Sequence, residues 1–453
     1  MEGKVSAGKK SADTIFALSS GAVPAAIAIV RLTGPAVRFA LETIAGSLPS
    51  PRVATLAKLR HPRDGSVLDE AVVLFFPGPA SVTGEDVGEL HLHGGRAVVA
   101  GVLAALEELT GLRAAEAGEF TRRGFENGRL DLTGIEGLAD LLQAETDAQR
   151  RQALRQYGGE ARAIYDEWRR RIIAMRAEIE ANLDFADEED VPDDIGEDVG
   201  AKAAALADEI DRHLADGRRG ERLRLGVEVA VMGPPNAGKS SLLNALAHRD
   251  VAIVTEEAGT TRDVIEVAMD LGGFPVTIAD TAGVRDTEGR VEKEGIRRAL
   301  ARGREADLVL WVWDGSGPMP EVPADISASG ATIWLVRNKV DLIDSDAEQT
   351  TSDVFDLSVS EGTGLGALTD ALEGFASDAC GRGESVLITR ARHRENLVAC
   401  RDGLRRVSVA ESGMLEVTAE ELRSAGDAIG RIAGKIGVED LLDVVFSEFC
   451  IGK

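Results

Sequence analysis

One segment in the middle of the chain carries residue types that bind phosphate groups. Residues 233–240 read Gly-Pro-Pro-Asn-Ala-Gly-Lys-Ser, which fits the pattern G-x4-G-K-[ST]. The glycines allow backbone N–H groups to wrap phosphates at the start of a helix, where the helix dipole favours negative charge. We expect Lys239 to reach the β- and γ-phosphates of a nucleotide and the Ser240 hydroxyl to hold Mg²⁺.

Three further motifs follow this loop in the order expected for a guanine-nucleotide site. Asp280 opens an Asp-Thr-Ala-Gly run, which would place a carboxylate near Mg²⁺ and the Gly283 amide near the γ-phosphate. Asp341 closes the Asn-Lys-Val-Asp run of residues 338–341. A carboxylate can accept hydrogen bonds from both the N1–H and the 2-amino group of guanine, a pair that adenine lacks. Residues 358–360, Ser-Val-Ser, lie where a backbone amide would meet guanine O6.

The ordered set of motifs predicts a GTP-binding domain. Thr260 and Thr261 lie between the phosphate loop and the Asp280 motif, where switch threonines are expected. The residues expected to contact GTP are Gly233, Asn236, Ala237, Gly238, Lys239, Ser240, Ser241, Thr255, Thr260, Thr261, Asp280, Thr281, Ala282, Gly283, Asn338, Lys339, Asp341, Ser358, Val359 and Ser360.

The hydrolytic step needs a different arrangement from that of Ras-like proteins. Those proteins use a glutamine directly after D-x-x-G to orient the attacking water, and Val284 occupies that position here. Asn236 could help to hold a monovalent cation that supplies the positive charge otherwise brought by an arginine finger. A carboxylate further along the chain, Glu292 or its neighbours Glu288 and Glu294, could position the water.

These motifs need elements that bring them to one edge of a sheet. Strands that alternate with helices predict a mostly parallel, doubly wound sheet with helices on both faces, which binds ligands at the carboxyl ends of its strands. A helix is expected over 240–247, directly after the phosphate loop. The expected strands are Val227–Met232, Val276–Ala279, Leu308–Asp314, Ile333–Val336 and Val354–Leu357.

The regions on either side have different patterns. Between about Asp13 and Asp131, β-rich runs alternate with Gly and Pro, which predicts an α+β domain. Apolar residues recur every three or four positions from Tyr157 to Leu183, which predicts one long amphipathic helix. The β-rich runs are Ala26–Arg31, Ala71–Phe76 and Glu89–His93, and further helices are expected over Arg392–Val409 and Ala419–Phe449.

The simplest organisation is a helical domain interrupted by an inserted α/β domain. Acidic residues crowd the stretch from Asp184 to Asp198, which favours a solvated loop or helix boundary over metal binding or an electrostatic contact. The expected divisions are an N-terminal domain at 1–131, the first helical part at 132–221, the GTP-binding domain at 222–376 and the second helical part at 377–453.

Composition limits the classes of protein to which the chain can belong. Its 453 residues suggest about three domains, and 51 Lys and Arg against 77 Asp and Glu give a net charge of −26. An acid-rich chain with 4% aromatic residues needs a local basic patch or a basic partner to bind nucleic acid. The scattered Cys380, Cys400 and Cys450, with no apolar run of 18 residues, favour a reducing cytoplasm and no membrane segment.

The motifs resemble those of one family closely. Residues 233–243, 253–263 and 280–285 look like the corresponding runs of the MnmE (TrmE) tRNA-modification GTPases. The C-terminal Cys-Ile-Gly-Lys of residues 450–453 is similar to the family's terminal C-[IVL]-G-K. Shorter matches in the first domain are 83–86, 93–95 and 130–132. The resemblance therefore covers nearly the whole chain.

The resemblance implies an activity and several partners. It implies an N-terminal folate-binding domain that also forms a homodimer, a discontinuous helical domain and a K⁺-activated GTPase domain. With an FAD-containing partner, MnmG, in a heterotetramer, the family adds aminomethyl-type groups such as carboxymethylaminomethyl to C5 of the wobble uridine of certain tRNAs. A tetrahydrofolate derivative, 5-formyl or 5,10-methylene, supplies the one-carbon unit.

The resemblance also implies roles for individual residues. The implied K⁺ ligands are Asn236, Thr255, the backbone of Glu257, and Thr260. Ser240 and Thr261 would bind Mg²⁺, and Glu292 would orient the attacking water. The implied folate contacts are Arg31, Glu85, Arg129 and Lys453, where Arg129 stands at a position that the family often fills with Lys. Cys450 could act as a nucleophile in one-carbon chemistry or equally as a structural thiol.

Three other interpretations fit the sequence less well. A ribosome-assembly GTPase would act as a binding switch, but it should carry a basic RNA-binding module instead of this C-terminus. A stand-alone folate-binding protein would not need intact GTP motifs. His91 and His93 share one face of an expected strand, and a metal site there would require a third ligand.

Overall fold

The computed structural model describes most of the chain, in the ranges 13–184, 195–216, 218–248, 266–280, 300–343, 354–381, 387–410 and 414–436, with the single residues 442, 445, 446, 449, 451 and 452. The chain divides into two compact units. The first comprises Met1–Ala139, Gln156–Arg171 and Gly426–Lys453, and the second comprises Asp140–Arg155 and Ile172–Ala425.

The first unit contains a six-stranded sheet. Its strands are β1 Thr14–Leu18, β2 Ile27–Thr33, β3 Thr55–Arg60, β4 Val67–Phe76, β5 Val87–His93 and β6 Leu112–Ala114. They lie in the order β3-β4-β5-β2-β1-β6, with β1 and β6 parallel and the other neighbours antiparallel. The expected runs Ala71–Phe76 and Glu89–His93 fall within β4 and β5, and Ala26–Arg31 overlaps β2 except for Ala26, which confirms the α+β domain.

Alternation along the strands gives this sheet two different faces. On one face Val30, Leu32 and Leu90 are fully buried in a cluster that includes the helices α1, Val37–Ala45, and α2, Arg96–Glu107. The opposite face carries Arg31, Glu89 and His91 on β2 and β5, and these three side chains are only partly buried. The candidate functional side chains of this sheet therefore lie on the second face.

The second unit contains the alternating α/β region. Its strands are β7 Val227–Met232, β8 Glu266–Leu271, β9 Phe274–Asp280, β10 Leu308–Asp314, β11 Thr332–Asn338 and β12 Val354–Asp356. They lie in the order β12-β11-β10-β7-β9-β8, and every neighbouring pair is parallel except β8 with β9. The five expected strands are confirmed, while the antiparallel β8 was not expected.

Both faces of this sheet are covered by helices, as expected. Further helices with described limits are α3 Glu119–Glu126, α4 Leu132–Gln143, α5 Asp147–Tyr157, α6 Glu160–Asp184, α7 Ile195–Leu214, α8 Arg219–Leu225, α9 Lys239–Ala247, α10 Ala324–Ser327, α11 Leu365–Cys380, α12 Ala391–Ser408 and α13 Leu415–Ile432. Leu243 of α9 and Leu368 of α11 pack on one face, and Ile326 of α10 packs on the other.

Two expected helices have different limits in the structure. The predicted helix that starts at Tyr157 is interrupted, because α5 ends there and α6 starts at Glu160 after Gly159 adopts a left-handed φ of 88°. The helix expected over Ala419–Phe449 is divided, because α13 ends at Ile432 and the described residues Leu442, Val445 and Phe446 are helical again. Gly434, in the turn after α13, has a φ of 79°, and a Cβ there would lie 2.8 Å from the Leu132 side chain.

No helix among the described residues is long and apolar enough to cross a membrane.

Candidate functional site

The phosphate loop joins β7 to α9 through backbone conformations that its glycines allow. Gly233 has a φ of 140°, and a Cβ there would lie 1.9 Å from the Val312 carbonyl oxygen on β10. Gly238 has a φ of 91°, and a Cβ there would lie 2.2 Å from Asn338 Nδ2. Both positions therefore require glycine for space as well as for backbone freedom.

The Lys239 side chain folds back over the phosphate loop. Its Nζ donates hydrogen bonds to the carbonyl oxygens of Gly233 at 3.0 Å and Pro234 at 2.7 Å. The side chain is buried although it carries a charge, which is tolerable because these acceptors replace water. Ser240, the next residue, is exposed on the first turn of α9. The ammonium and the hydroxyl thus lie at the mouth of the loop, where phosphates and Mg²⁺ are expected.

Asn338 connects the base motif, residues 338–341, to the phosphate loop through a hydrogen bond. Its Nδ2 donates to the Ala237 carbonyl oxygen at 2.9 Å, and its Oδ1 accepts from the Val359 amide at 3.3 Å. Asn338 is buried at the end of β11 and satisfies both sides of its amide group in these contacts. One side chain therefore joins its own motif to the phosphate loop, 101 residues earlier in the chain, and to the Ser-Val-Ser segment, 21 residues later.

Lys339 forms the next contact at this edge of the sheet. Its Nζ lies 2.7 Å from Asp314 Oδ2 at the end of β10. Hydrogen bonds from Lys339 and then from Ser316 lower the pKa of Asp314 to about 2. Asp341 lies in a short 3₁₀ turn after β11 and is exposed, as a side chain that reads a base must be.

The Ser-Val-Ser segment is ordered beside this turn. The Ser358 amide donates to the Thr363 carbonyl oxygen at 3.1 Å, and the hydroxyls of Ser358 and Ser360 are 3.1 Å apart. The Val340 amide donates to the Leu357 carbonyl oxygen at 3.1 Å. The two expected base loops are therefore neighbours in space.

Several expected site residues lie outside the described residues. They are Thr255, Glu257, Thr260, Thr261, Thr281, Ala282, Gly283, Glu288, Glu292, Glu294, Cys450 and Lys453. For Asp280 the backbone position is described: it ends β9 opposite Val231 of β7, beside the start of the phosphate loop.

The polar face of the first unit holds a second group of expected residues. Arg31 on β2 lies opposite Glu89 on β5, and its Nε donates to Glu89 Oε1 at 3.1 Å. The Arg31 guanidinium lies 6.0 Å from the centre of the Phe120 ring. Sequence reasoning missed Glu89. The signal was the one acidic residue of β5, but its partner depends on strand register.

Glu85 has a different set of partners from Arg31. Its Oε2 accepts from Thr33 Oγ1 at 3.1 Å and from Arg123 Nη1 at 3.2 Å. Arg123 is only 3% exposed and also pairs with Asp13. Thr33 and Arg31 are two residues apart on β2, so Glu85 and the Arg31 pair adjoin the same face of the sheet.

The end of the chain returns to the first strand. Ile451 forms an antiparallel bridge with Ala117, and Ser19 Oγ donates to the Gly452 carbonyl oxygen at 2.9 Å. Gly452 has a φ of 100°, and a Cβ there would lie 2.3 Å from the Leu18 carbonyl oxygen. A largely apolar cavity of about 610 Å³ opens here, and its lining includes Ile451 and the end of β1.

Arg129 lies at another opening of the first unit. It is exposed, and its Cγ would be 3.3 Å from a Cβ on Gly84. It lines a cavity of about 320 Å³ together with Arg162, Asp131 and Asp166. The structure therefore gives Arg129 surroundings different from those of Arg31.

The two histidines of β5 bind carboxylates. His91 Nε2 lies 3.1 Å from Glu89 Oε2, and His93 Nδ1 lies 2.8 Å from Asp69 Oδ1. No group of three His, Cys, Asp or Glu side chains within the described ranges could hold a metal ion.

Known protein families and individual proteins match most of the chain. Residues 14–129 match the description "GTP-binding protein TrmE N-terminus", and residues 132–450 match the description "MnmE helical domain". The chain is 53% identical over 448 residues to "tRNA modification GTPase MnmE" of Bradyrhizobium sp. (strain ORS 278), covering 97% of this chain and 99% of that protein. It is 51% identical over 441 residues to the protein of the same name from Brucella melitensis biotype 1, covering 97% and 98%.

A solved structure shows a weaker likeness. The G domain of the T. maritima FeoB iron transporter is 25% identical, and the match covers 33% of this chain and 98% of that chain. The TM-score is low, at 0.25.

Proposed function

The chain belongs to the MnmE family of tRNA modification GTPases, and from that premise we propose the reaction that it performs. It is an enzyme that hydrolyses GTP. We propose that hydrolysis drives the addition of an aminomethyl-type group, such as carboxymethylaminomethyl, to C5 of the wobble uridine of certain tRNAs. The observation that carries this proposal is the joining of the phosphate, base and Ser-Val-Ser motifs through Asn338.

The residues at the loop suit Mg²⁺ bound with GTP. The Ser240 hydroxyl is exposed beside Lys239, and hydroxyl and carboxylate oxygens are the ligands that Mg²⁺ prefers. Ser240 and Thr261 would hold the ion, with Asp280 at the adjacent strand end. Bound there, Mg²⁺ would neutralise charge on the phosphate oxygens.

K⁺ activation would use the same loop. Asn236 is exposed at a left-handed φ of 62°, so its amide oxygen is available as a ligand beside the phosphates. The remaining ligands would be Thr255, the Glu257 backbone and Thr260. Bound K⁺ would supply the positive charge of an arginine finger. Glu292 would orient the attacking water in place of the glutamine that Val284 replaces.

A tetrahydrofolate derivative, in the 5-formyl or 5,10-methylene form, would bind the first unit. Arg31 is anchored through Nε, which leaves its terminal nitrogens for a carboxylate or carbonyl of the ligand. The C-terminal residues lie next to β1, whose Ala17 is the register partner of Arg31. Glu85, Arg129 and Lys453 would complete the site, and Cys450 would lie beside the one-carbon unit.

The open face of the first sheet would form the homodimer. Ile27 is 61% exposed and Leu56 is 65% exposed, an unusual state for apolar strand residues. Strand register places Leu56, Val72, His91 and Ile29 in one row across the sheet. A second copy that covers this row would remove apolar surface from water.

The partner and the domain limits complete the proposal. An FAD-containing MnmG-type partner would supply much of the tRNA-binding surface in a heterotetramer, because a chain with a net charge of −26 is poorly suited to bind tRNA unaided. The proposed domains remain 1–131 for folate binding and dimerisation, 132–221 with 377–453 for the helical domain, and 222–376 for the inserted GTP-binding domain.

Reconstitution tests this proposal. The purified chain, its MnmG-type partner, tRNA, GTP, K⁺ and 5,10-methylenetetrahydrofolate are incubated with glycine or ammonia, and nucleosides are analysed by mass spectrometry. We expect a modified wobble uridine only when all components are present. Modification that persists without GTP would contradict the proposal.

A further inference from the structure

Glu89 on the polar sheet face is held from two sides. Its Oε1 accepts from Arg31 Nε, and its Oε2 lies 3.1 Å from His91 Nε2. An ionised carboxylate only accepts hydrogen bonds, so the His91 Nε2 must carry the proton in this contact. Arg31, Glu89 and His91 thus form one chain across β2 and β5, and their side chains are 23%, 16% and 27% exposed.

The two ends of this chain differ in what they can do. Among the described residues, Glu89 is the only hydrogen-bond partner of the Arg31 side chain, through Nε alone. The two terminal nitrogens of Arg31 therefore remain as donors for a ligand. His91 lies at the far end of this group of three side chains. It contacts Glu89 directly and is connected to the Arg31 donors only through Glu89.

A single hydrogen bond does not fix a carboxylate in space. With that one hydrogen bond, the Glu89 carboxylate can still turn about its Cγ–Cδ bond, and Arg31 can follow that movement. A second hydrogen bond from His91 to Oε2 fixes the carboxylate plane. The plane then fixes the direction of the guanidinium, because charge-assisted hydrogen bonds are directional and short.

We propose that His91 is a positioning residue for the Arg31 guanidinium, and this rests on the folate site proposed above. The ligand class is an anionic or carbonyl-bearing folate that accepts hydrogen bonds from the terminal nitrogens of Arg31. His91 acts through Glu89 and does not touch the ligand. It lowers the entropy that Arg31 loses on binding, as outer-layer hydrogen bonds do in other sites.

His93 provides a matched control on the same strand. It is two residues from His91, it also contacts a carboxylate, and its imidazole points to the same face. Its partner is Asp69 on β4, and neither residue contacts Arg31 or Glu89. A general effect of losing a histidine–carboxylate pair from β5 will therefore appear equally in His93 variants.

The experiment measures binding of 5-formyltetrahydrofolate to the full-length chain by calorimetry. His91→Phe should raise Kd about tenfold, the value of one hydrogen bond to a charged group. His91→Gln, which keeps an N–H donor, should restore affinity to within about threefold of the wild type. His93→Phe should leave Kd within about twofold, and thermal melting checks that each variant is folded.

A double-mutant cycle separates positioning from a merely structural role. If His91 acts through Arg31, His91→Phe should change Kd little when Arg31 is already Lys. An equal loss in both backgrounds, or an equal loss in His93→Phe, would overturn the inference while leaving the folate site in place. Absence of binding by the wild type, or an unchanged Kd in Arg31→Lys and Arg31→Ala, would overturn the folate site and this inference together.

Discussion

Asn338 is buried because it completes two loops at once. Its amide group donates to the phosphate loop at Ala237 and accepts from Val359, so neither polar end is left unpaired in a low-dielectric site. Asp341 lies only three residues further along the chain. Asn338 therefore anchors the start of the segment that carries Asp341 without itself needing to touch the base.

Asp341→Asn tests the reading of guanine. The amide replaces an acceptor with a donor, so preference should change from GTP to xanthosine triphosphate. Each lost hydrogen bond to the carboxylate should weaken GTP binding by about tenfold or more. Fluorescent-nucleotide titration measures both affinities. Unchanged GTP affinity would show that Asp341 does not read the base.

Lys339→Met tests the electrostatics beside the base motif. The pKa of Asp314 should rise from about 2 toward 3.8 and stay somewhat below it, because Ser316 still donates. Since the folded-state pKa is lowered, its stabilising contribution is complete above 3.8 and is lost as pH falls through about 2. A ¹³C NMR titration of the Asp314 carboxyl carbon measures its pKa. Lys58→Met, on β3 of the first unit, is the control. An unchanged Asp314 titration would refute the pairing.

At the scale of elements, close approach between strands decides where the phosphate loop can lie. β7 and β10 are parallel neighbours, and the loop leaves β7 against the backbone of Val312. The same principle operates at the C-terminus, where Gly452 lies against Leu18. Both glycines allow backbone-to-backbone contacts that join elements far apart in sequence.

Gly233→Ala should disrupt this approach. The added methyl group would overlap the Val312 carbonyl oxygen, so the chain should lose about 1–3 kcal/mol of stability and bind GTP more weakly. Gly330→Ala is the matched control, because Gly330 has a φ of 84° and no atom within 4 Å of an added Cβ. Chemical denaturation compares the two variants. Equal destabilisation would mean that backbone strain, not the close approach, is responsible.

Deletion of Gly452 and Lys453 tests the role of the C-terminal segment. It removes the acceptor of the Ser19 hydroxyl and the lysine expected at the folate, so tRNA modification should be lost. Basal GTP hydrolysis should remain near the wild-type rate, since the phosphate loop and base motifs are unchanged. Ser19→Ala, which removes the hydrogen bond alone, should reduce modification only partly. Full modification by the truncated chain would contradict this role.

The sequence predicts some of these elements better than others. The phosphate loop and the strands around it follow from local patterns, and α9 begins one residue from its expected start. β8 was missed although Gly272 and Gly273 form a two-residue turn typical of a hairpin. The break after Tyr157 was hidden because an apolar stripe continues through it, while Gly158 and Gly159 stop the helix.

The Arg31 site could be predicted only in part. Arg31 stands out as a charge at the end of an apolar run, but its pairing with Glu89 depends on the register between β2 and β5. A shift of one residue would turn Glu89 to the other face. The return of Gly452 to Ser19 spans 433 residues, a distance over which no local pattern gives information.

At the scale of the whole molecule, the GTP motifs and the proposed folate site belong to different compact units. The GTP motifs lie in the second unit, and Arg31 with Gly452 lies in the first. Coupling between them requires that hydrolysis change the molecule beyond the nucleotide site. We expect pairing of two GTP-binding domains within a homodimer to provide that change.

The cation dependence of hydrolysis tests this pairing. GTP hydrolysis should be much faster in K⁺ than in Na⁺ at equal ionic strength, and Asn236→Ala should abolish the difference. Glu292→Ala should lower kcat by about 10²-fold with GTP affinity nearly unchanged. A transition-state analogue should trap paired GTP-binding domains in K⁺. Equal rates in both cations without pairing would remove this mechanism and leave GTP binding in place.

The most direct test of the central claim is nucleoside mass spectrometry of tRNA from a strain that lacks the gene. We expect that the C5-modified wobble uridine disappears, that the wild-type chain restores it, and that the chain with Glu292→Ala does not. Because that variant should still bind GTP, its failure would tie modification to hydrolysis. Unchanged modification in the deletion strain, or full restoration by Glu292→Ala, would contradict the account.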